Sequence, residues 1–156
     1  IRYSIPVEGD LTSYHERRLD DLGLNETVNK VEFWQGDACN LKDIHTHFDL
    51  ILAANLIDRL YSPRRFLELI SERLNHGGLL VLASPYTWLE EYTKKSEWIG
   101  GFKKDGESFT TLDGLKEILG ANFSLVEGPK AVPFTIRETA RKYQHTLSEV
   151  TVWKRK

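Results

Sequence analysis

The pattern of hydrophobic and polar residues predicts a strand–helix–strand unit in the middle of the chain. Phe48–Ala54 and Leu79–Ala83 are almost continuously apolar, which is typical of parallel strands covered on both faces. Between them, apolar residues repeat at helical spacing after Ser62, an N-cap residue that is followed by proline. We expect this helix to end at Gly77–Gly78. The order predicts a βαβ unit of an open α/β sheet.

Weaker patterns predict the flanking elements. Leu11–Leu22 has apolar residues on one helical face and the Ser-x-x-Glu spacing of a capping box, which predicts a helix ending at Gly23. The other predicted elements are a strand at Val31–Gln35, a helix at Thr110–Leu119 and strands at Phe123–Glu127 and Glu149–Trp153. Because no full crossover helix separates the last two strands, we expect an antiparallel pair at one sheet edge, with a segment of about twenty residues between them.

Composition narrows the class of protein. The chain has 156 residues with 40% hydrophobic residues, enough for one globular domain over residues 1–156. Its net charge of −2 and the absence of a long apolar run argue against nucleic acid and membranes as partners. The single cysteine, Cys39, predicts a cytoplasmic protein. The histidines lack metal-ligand spacing, so no metal site is predicted.

Polar and aromatic residues follow three predicted strands. The three segments are Gly36–Asn40, Asn55–Arg59 and Ser84–Trp88. In open α/β sheets, ligands bind beyond the carboxyl ends of the strands. These segments are therefore the candidate site.

Several of these segments resemble one enzyme family. The motifs are Gln35-Gly36-Asp37-Ala38 through Leu41, Ala54-Asn55-Leu56-Ile57-Asp58-Arg59-Leu60-Tyr61, Ser84 to Glu91 and Arg137 to Lys142. They resemble the C-terminal methyltransferase module of the ovothiol-biosynthesis enzyme, 5-histidylcysteine sulfoxide synthase fused to mercaptohistidine methyltransferase. The resemblance implies an α/β, Rossmann-like class I methyltransferase sheet with a terminal antiparallel strand, which fits the predicted pattern better than a dinucleotide-binding sheet.

The resemblance also implies roles for individual residues. S-adenosylmethionine would contact Gly36, Asp37, Ala38, Asn55 and Leu56, Asp58 and Tyr86 would act in catalysis, and Tyr61, Trp88 and Arg137 would bind substrate. Each residue also has a structural interpretation. Asp37 could bond its own turn, Asn55 could cap a helix, Asp58 could pair with Arg59, the aromatics could be packing, and Arg137 could be solvated.

The family's first strand, glycine-rich loop and second strand find no counterpart in the sequence. Met is also absent, including at position 1, so we expect an N-terminally incomplete methyltransferase domain cut from a longer protein. The family arrangement implies a sulfoxide synthase domain upstream of the module. The family's strand order also implies unpaired backbone groups on Val31–Gln35 and Phe48–Ala54.

The function expected from the resemblance is S-adenosylmethionine-dependent N-methylation of the imidazole ring of a thiol-substituted histidine. The alternatives are a methyltransferase for another small molecule and a non-catalytic methyltransferase-like fragment or scaffold. A nicotinamide-dependent oxidoreductase is disfavoured because no G-x-G-x-x-G motif occurs. The sequence leaves open whether the chain forms a homodimer.

Overall fold

The computed structural model describes residues 1–156, which divide into two compact units. The first contains Ile1–Gln35 and Phe134–Thr146, and the second contains Gly36–Pro133 and Leu147–Lys156. The strands are β1 (Arg2–Glu8), β2 (Leu11–Glu16), β3 (Phe48–Ala54), β4 (Leu74–Ser84), β5 (Phe102–Lys104), β6 (Glu107–Phe109), β7 (Phe123–Arg137) and β8 (Tyr143–Arg155). The α-helices are α1 (Pro63–Leu69) and α2 (Thr111–Leu119).

The main sheet confirms the predicted mixture of parallel and antiparallel strands. Its strand order is β3-β4-β8-β7. β3 and β4 run parallel, with Ala54 opposite Ala83, and β8 runs antiparallel to β4, with Glu149 opposite Ser84. The part of β8 that pairs with β4 therefore begins at the end of the sheet where β3 and β4 finish.

Apolar side chains from the strands and both α-helices form the core of the second unit. Its largest fully buried side chains include Trp153, Leu67, Leu80 and Leu115. Helix α2 begins with a capping box, in which the Thr110 hydroxyl accepts the Asp113 N–H and the Asp113 carboxylate accepts the Thr110 N–H. Neither α-helix has the length and apolar character needed to cross a bilayer.

The predicted end of the first helix is wrong. Helix α1 ends at Leu69, a short 3₁₀ turn follows, and β4 already begins at Leu74. Gly77 and Gly78 lie inside β4, where the pairing with β3 shifts register and Gly77 adopts a φ of 77°. The glycine pair therefore marks a bulge in a strand, where a left-handed residue is needed.

The predicted helix over Leu11–Leu22 is also wrong. Leu11–Glu16 is strand β2, paired antiparallel with β1 across a turn at Gly9, and only Asp20–Leu22 forms a 3₁₀ turn. The recurrence of Tyr3, Ile5 and Val7 at alternate positions before a glycine turn was the signal for a hairpin. Pairing with β1 outweighed the local capping pattern.

The predicted strand at Val31–Gln35 does not form, and these residues are exposed. No strand lies beside them to form ladder hydrogen bonds, and an extended segment without such a partner has little stability of its own. β3 is an edge strand of the main sheet. The predicted long segment between the last two strands is instead mostly strand, since β7 and β8 are joined by residues 138–142 alone.

Candidate functional site

The carboxyl ends of β3 and β4 lie beside the middle of β8 at one end of the main sheet. Asn55 follows β3, and its backbone N–H donates to the Ala83 carbonyl oxygen of β4 at 2.7 Å. The Asn55 side-chain oxygen accepts the hydroxyl of Ser148, on β8, at 2.8 Å. The asparagine thus ties the strands together, while its side-chain nitrogen has no hydrogen-bond partner within the chain.

The backbone bends sharply at two of these strand ends. Asn55 has a φ of 52° and Tyr86 a φ of 50°. The left-handed region is tolerated by asparagine but is unusual for a bulky residue such as tyrosine. The Tyr86 N–H donates to the buried Ser84 hydroxyl at 3.1 Å, which holds this conformation. Strained backbone of this kind is concentrated at functional sites in proteins.

A cavity of about 370 Å³ opens beside Tyr86. It is lined by the end of β4 and the residues after it, by residues of β7 and by the middle of β8, namely Ser84, Pro85, Tyr86, Pro129, Lys130, Ala131, Leu147, Ser148 and Glu149. This volume is within the range of small-molecule sites. The cavity mixes apolar walls with a carboxylate and an ammonium group.

Tyr86 lies in this cavity as a hydrogen-bond donor. Its hydroxyl donates to Glu149 Oε1 at 3.0 Å. Burial raises the pKa of Tyr86 far above its usual value, and the charge of Glu149, the hydrogen bond to it and the charge of Asp58 raise that pKa further. The phenol therefore keeps its proton throughout the neutral range.

Asp58 is placed differently from the predicted catalytic contact. Its side chain is only 1% exposed. Oδ1 accepts the Ser84 hydroxyl at 3.0 Å, and Oδ2 accepts the Arg59 guanidinium at 2.9 Å and both the N–H and the hydroxyl of Thr87 at 3.0 Å. Because this carboxylate accepts four hydrogen bonds and is buried, Asp58 holds the loops after β3 and β4 together and is not accessible to a ligand.

Asp37 and Tyr61 form a second polar group. Asp37 Oδ1 accepts the Cys39 N–H at 2.9 Å, which is the predicted turn bond, and Oδ2 accepts the Tyr61 hydroxyl at 2.8 Å. The hydrogen bond to Asp37 raises the pKa of Tyr61, and burial raises the pKa of Cys39. Tyr61, predicted to bind substrate, is thus bonded to a residue predicted to bind the cofactor.

The remaining predicted cofactor residues differ in exposure. Gly36 has no atom within 4 Å of the position that a Cβ would take, so its backbone is open to a ligand. Ala38 and Leu56 pack against the apolar core. The backbone carbonyl of Leu56 accepts the Arg59 N–H at 2.9 Å, so Leu56 begins a short turn.

Trp88, predicted to bind substrate, takes part in packing. Its ring stacks on Trp98 with centroids 6.2 Å apart, and its N–H donates to the Thr111 hydroxyl at 3.0 Å. Trp88 is also packed against the hydrophobic core. The polar atom and one face of the ring are therefore already used, as the structural interpretation of these aromatics expected.

Arg137, also predicted to bind substrate, belongs to the first unit. Its Nε donates to the Thr139 carbonyl oxygen at 3.1 Å, and its guanidinium lies 5.9 Å from the centre of the Tyr143 ring. These contacts order the turn between β7 and β8. A role for Arg137 in substrate binding stays a prediction.

Sequence reasoning missed three polar residues of the cavity, which are Lys130, Ser148 and Glu149. The signal for two of them was present. Ser148 and Glu149 stand at the start of the last predicted strand, and an antiparallel strand begins at the edge where its parallel neighbours end. Lys130 lies in the long extension of β7 that was not predicted.

Comparison with known proteins supports the fold. No family model matches the chain. No curated protein matches it either. A solved structure from work on the conversion of a disulfide bond into a thioacetal group during echinomycin biosynthesis is similar, with a TM-score of 0.56 and 15% sequence identity. The match covers 88% of this chain and 59% of that one, so this chain spans less than two thirds of its length. This likeness shows a shared fold, a mixed sheet with few helices.

Proposed function

We propose that this chain is a methyltransferase domain that acts on the imidazole ring of a thiol-substituted histidine, with S-adenosylmethionine as the methyl donor. The observation that carries the proposal is the meeting of Asn55, Tyr86 and Glu149 at one edge of a methyltransferase-like sheet, beside a cavity of about 370 Å³. The resemblance of the strand-end motifs supports the choice of substrate.

The residues present fit part of what S-adenosylmethionine requires. The Asp37 carboxylate is exposed and accepts only two hydrogen bonds, so it has capacity for the amino group of an adenine ring. The side-chain nitrogen of Asn55 is a donor without a partner in the chain and suits a carboxylate. When bound, S-adenosylmethionine supplies an electrophilic methyl group.

The chain itself contributes orientation. Tyr86 is protonated and hydrogen-bonded, so it holds a polar group in the cavity without serving as a base. A neutral imidazole already has a free lone pair, so no strong base is needed. Asp58 acts as a positioning residue, because its carboxylate accepts the hydroxyl of Ser84, and Ser84 in turn accepts the N–H of Tyr86.

Calorimetric titration of S-adenosylhomocysteine into the full chain tests the proposal. We expect saturable binding that Asp37→Asn weakens about tenfold, since a hydrogen bond to a charged acceptor contributes about 1.5–3 kcal/mol. Asp105→Asn is the matched control, because Asp105 lies in an exposed turn at a φ of 54° that asparagine also accepts. Absence of binding to the unmodified chain would contradict the proposal.

The open edge of the sheet favours a second candidate function, that of a non-catalytic scaffold. β3 pairs on one side only, and Phe48, Leu50 and Leu52 on it are exposed. Such an edge is a template for pairing with another chain. A chain that binds no S-adenosylhomocysteine yet forms complexes through β3 would favour this function.

A further inference from the structure

The cavity contains a partly buried carboxylate that forms no ion pair. Glu149 accepts the Tyr86 hydroxyl at 3.0 Å and takes part in no ion pair. A partly desolvated carboxylate is costly unless a donor or a cation accompanies it. The phenol of Tyr86 supplies one donor to Oε1. The arrangement leaves acceptor capacity on a charged group that lines a ligand-sized cavity.

The position of this carboxylate is fixed from two sides. Glu149 stands opposite Ser84 in the β4–β8 ladder, so its backbone belongs to the rigid sheet. Tyr86 is held in a left-handed conformation by the Ser84 hydroxyl, which is itself bonded to Asp58. The sheet pairing and these hydrogen bonds therefore hold the two residues together, as in a preorganised site.

We infer that Glu149 binds an N–H group of the ligand, with Tyr86 orienting the carboxylate, and that the ligand is a small nitrogen heterocycle or amine. This inference rests on the proposed function and adds to it a residue that selects the reacting nitrogen. When one N–H of a neutral imidazole donates to Glu149, the lone pair of the other ring nitrogen stays free. Lys130 lines the same cavity without an ion pair and suits a carboxylate on the ligand.

A binding titration followed by NMR tests the inference on the full chain. The probes are L-histidine and its thiazole analogue, whose ring has a similar shape and a nitrogen lone pair but lacks an N–H group. We expect Glu149→Gln to weaken L-histidine binding about tenfold, because the hydrogen bond to a charged acceptor is replaced by one to a neutral amide. Binding of the thiazole analogue should be weaker in the unmodified chain and insensitive to this substitution.

Glu127→Gln is the matched control, since Glu127 is an exposed residue of β7 and the change in charge is the same. It should leave both probes unaffected. Tyr86→Phe should weaken L-histidine binding less than Glu149→Gln, because it releases the carboxylate without removing it. Equal loss for the two probes in Glu149→Gln, or no binding of L-histidine to the unmodified chain, would overturn the inference.

Failure of the inference can be told apart from failure of the proposed function. If S-adenosylhomocysteine binds and Glu149→Gln leaves L-histidine binding unchanged, the inference is wrong and the methyltransferase proposal stands. If L-histidine binds through Glu149 and S-adenosylhomocysteine does not bind, the N–H site stands and the methyltransferase proposal is wrong.

Discussion

At the scale of single residues, burial separates structural from functional carboxylates. Asp58 is almost completely buried and both of its oxygens are used within the chain. Asp37 is exposed, and Glu149 is only partly buried. Both of the latter have capacity for another hydrogen bond. A buried carboxylate whose hydrogen bonds are all made within the chain holds its neighbours in place. A more exposed carboxylate that can accept further hydrogen bonds is available to a ligand.

Asp58→Asn should destabilise the fold. The amide nitrogen cannot accept from Ser84, Thr87 or Arg59, so at least one buried donor is left without a partner, at a cost of about 1–3 kcal/mol. The free energy of unfolding in urea measures this loss. Asp105→Asn is an exposed control, for which the change in unfolding free energy should be near zero. Equal stability of the two variants would show that the Asp58 network contributes nothing.

Sequence reasoning placed the site residues only as far as the strand ends allowed. Asn55 and Tyr86 were predicted because each lies just beyond an apolar strand, and the structure puts both at the same end of the main sheet. Trp88 looked equivalent in sequence, yet it stacks on Trp98, a contact that no local pattern encodes. Glu149 was missed because it is an ordinary residue of a strand until the antiparallel register places it beside Tyr86.

At the scale of elements, the predictions succeeded where a regular apolar pattern was bounded by turn or cap residues. β3 has a continuous apolar run and helix α2 has apolar residues at helical spacing, and both elements formed. The expectation that β3 is covered on both faces was wrong, because β3 is an edge strand and most of its residues are exposed. Leu11–Leu22 had a helical pattern but also a neighbouring segment with strand alternation, and pairing between the two decided the outcome. Where pairing with another segment decides between helix and strand, the local sequence pattern alone cannot predict the outcome.

Helix α2 offers a sensitive test of close packing. A Cβ at Gly114 would lie 1.7 Å from the Ile99 carbonyl oxygen, so alanine cannot fit unless the backbone moves. Alanine favours a helix interior over glycine by about 1 kcal/mol, but overpacking typically costs about 1–3 kcal/mol.

We therefore expect Gly114→Ala to lower the free energy of unfolding by a net amount of up to about 2 kcal/mol. Gly36→Ala, where a Cβ meets nothing within 4 Å, should be nearly neutral in the same urea titration. A more stable Gly114→Ala variant would show that helix propensity outweighs this contact.

The cap of helix α2 predicts a dependence of stability on pH. Hydrogen bonds from the Thr110 hydroxyl and N–H lower the pKa of Asp113 below its ordinary value. Because the folded pKa lies below the unfolded one, the ionised carboxylate stabilises the fold above the unfolded value, which is about 4. This contribution is lost as the pH falls through the lowered folded pKa.

Urea unfolding of the unmodified chain and of Asp113→Asn, measured from neutral to acidic pH, isolates this contribution from that of the other carboxylates. The unmodified chain should be the more stable of the two at neutral pH, and the difference should shrink as the solution becomes acidic. A difference that stays constant over the whole range would contradict the assignment to Asp113.

At the scale of the whole molecule, the distribution of exposed apolar surface is uneven. Leu50 and Leu52 on β3 are 55% and 61% exposed, whereas Ala53 on the same strand is buried. One face of an edge strand thus presents apolar side chains beside unpaired backbone groups. Natural sheets usually protect such edges with charge, proline or a covering element. The near-zero net charge of −2 adds little repulsion between copies.

The isolated chain should therefore self-associate as its concentration rises, and Leu52→Lys should reduce this association, since a lysine on an edge strand opposes edge-to-edge pairing. Sedimentation velocity over a range of concentrations measures the effect. Leu89→Lys is the matched control, because Leu89 is an exposed leucine outside any strand. If both substitutions reduce association equally, general surface hydrophobicity is responsible and not the β3 edge. If neither does, β3 is protected from pairing in solution, and the scaffold function loses the observation that favours it.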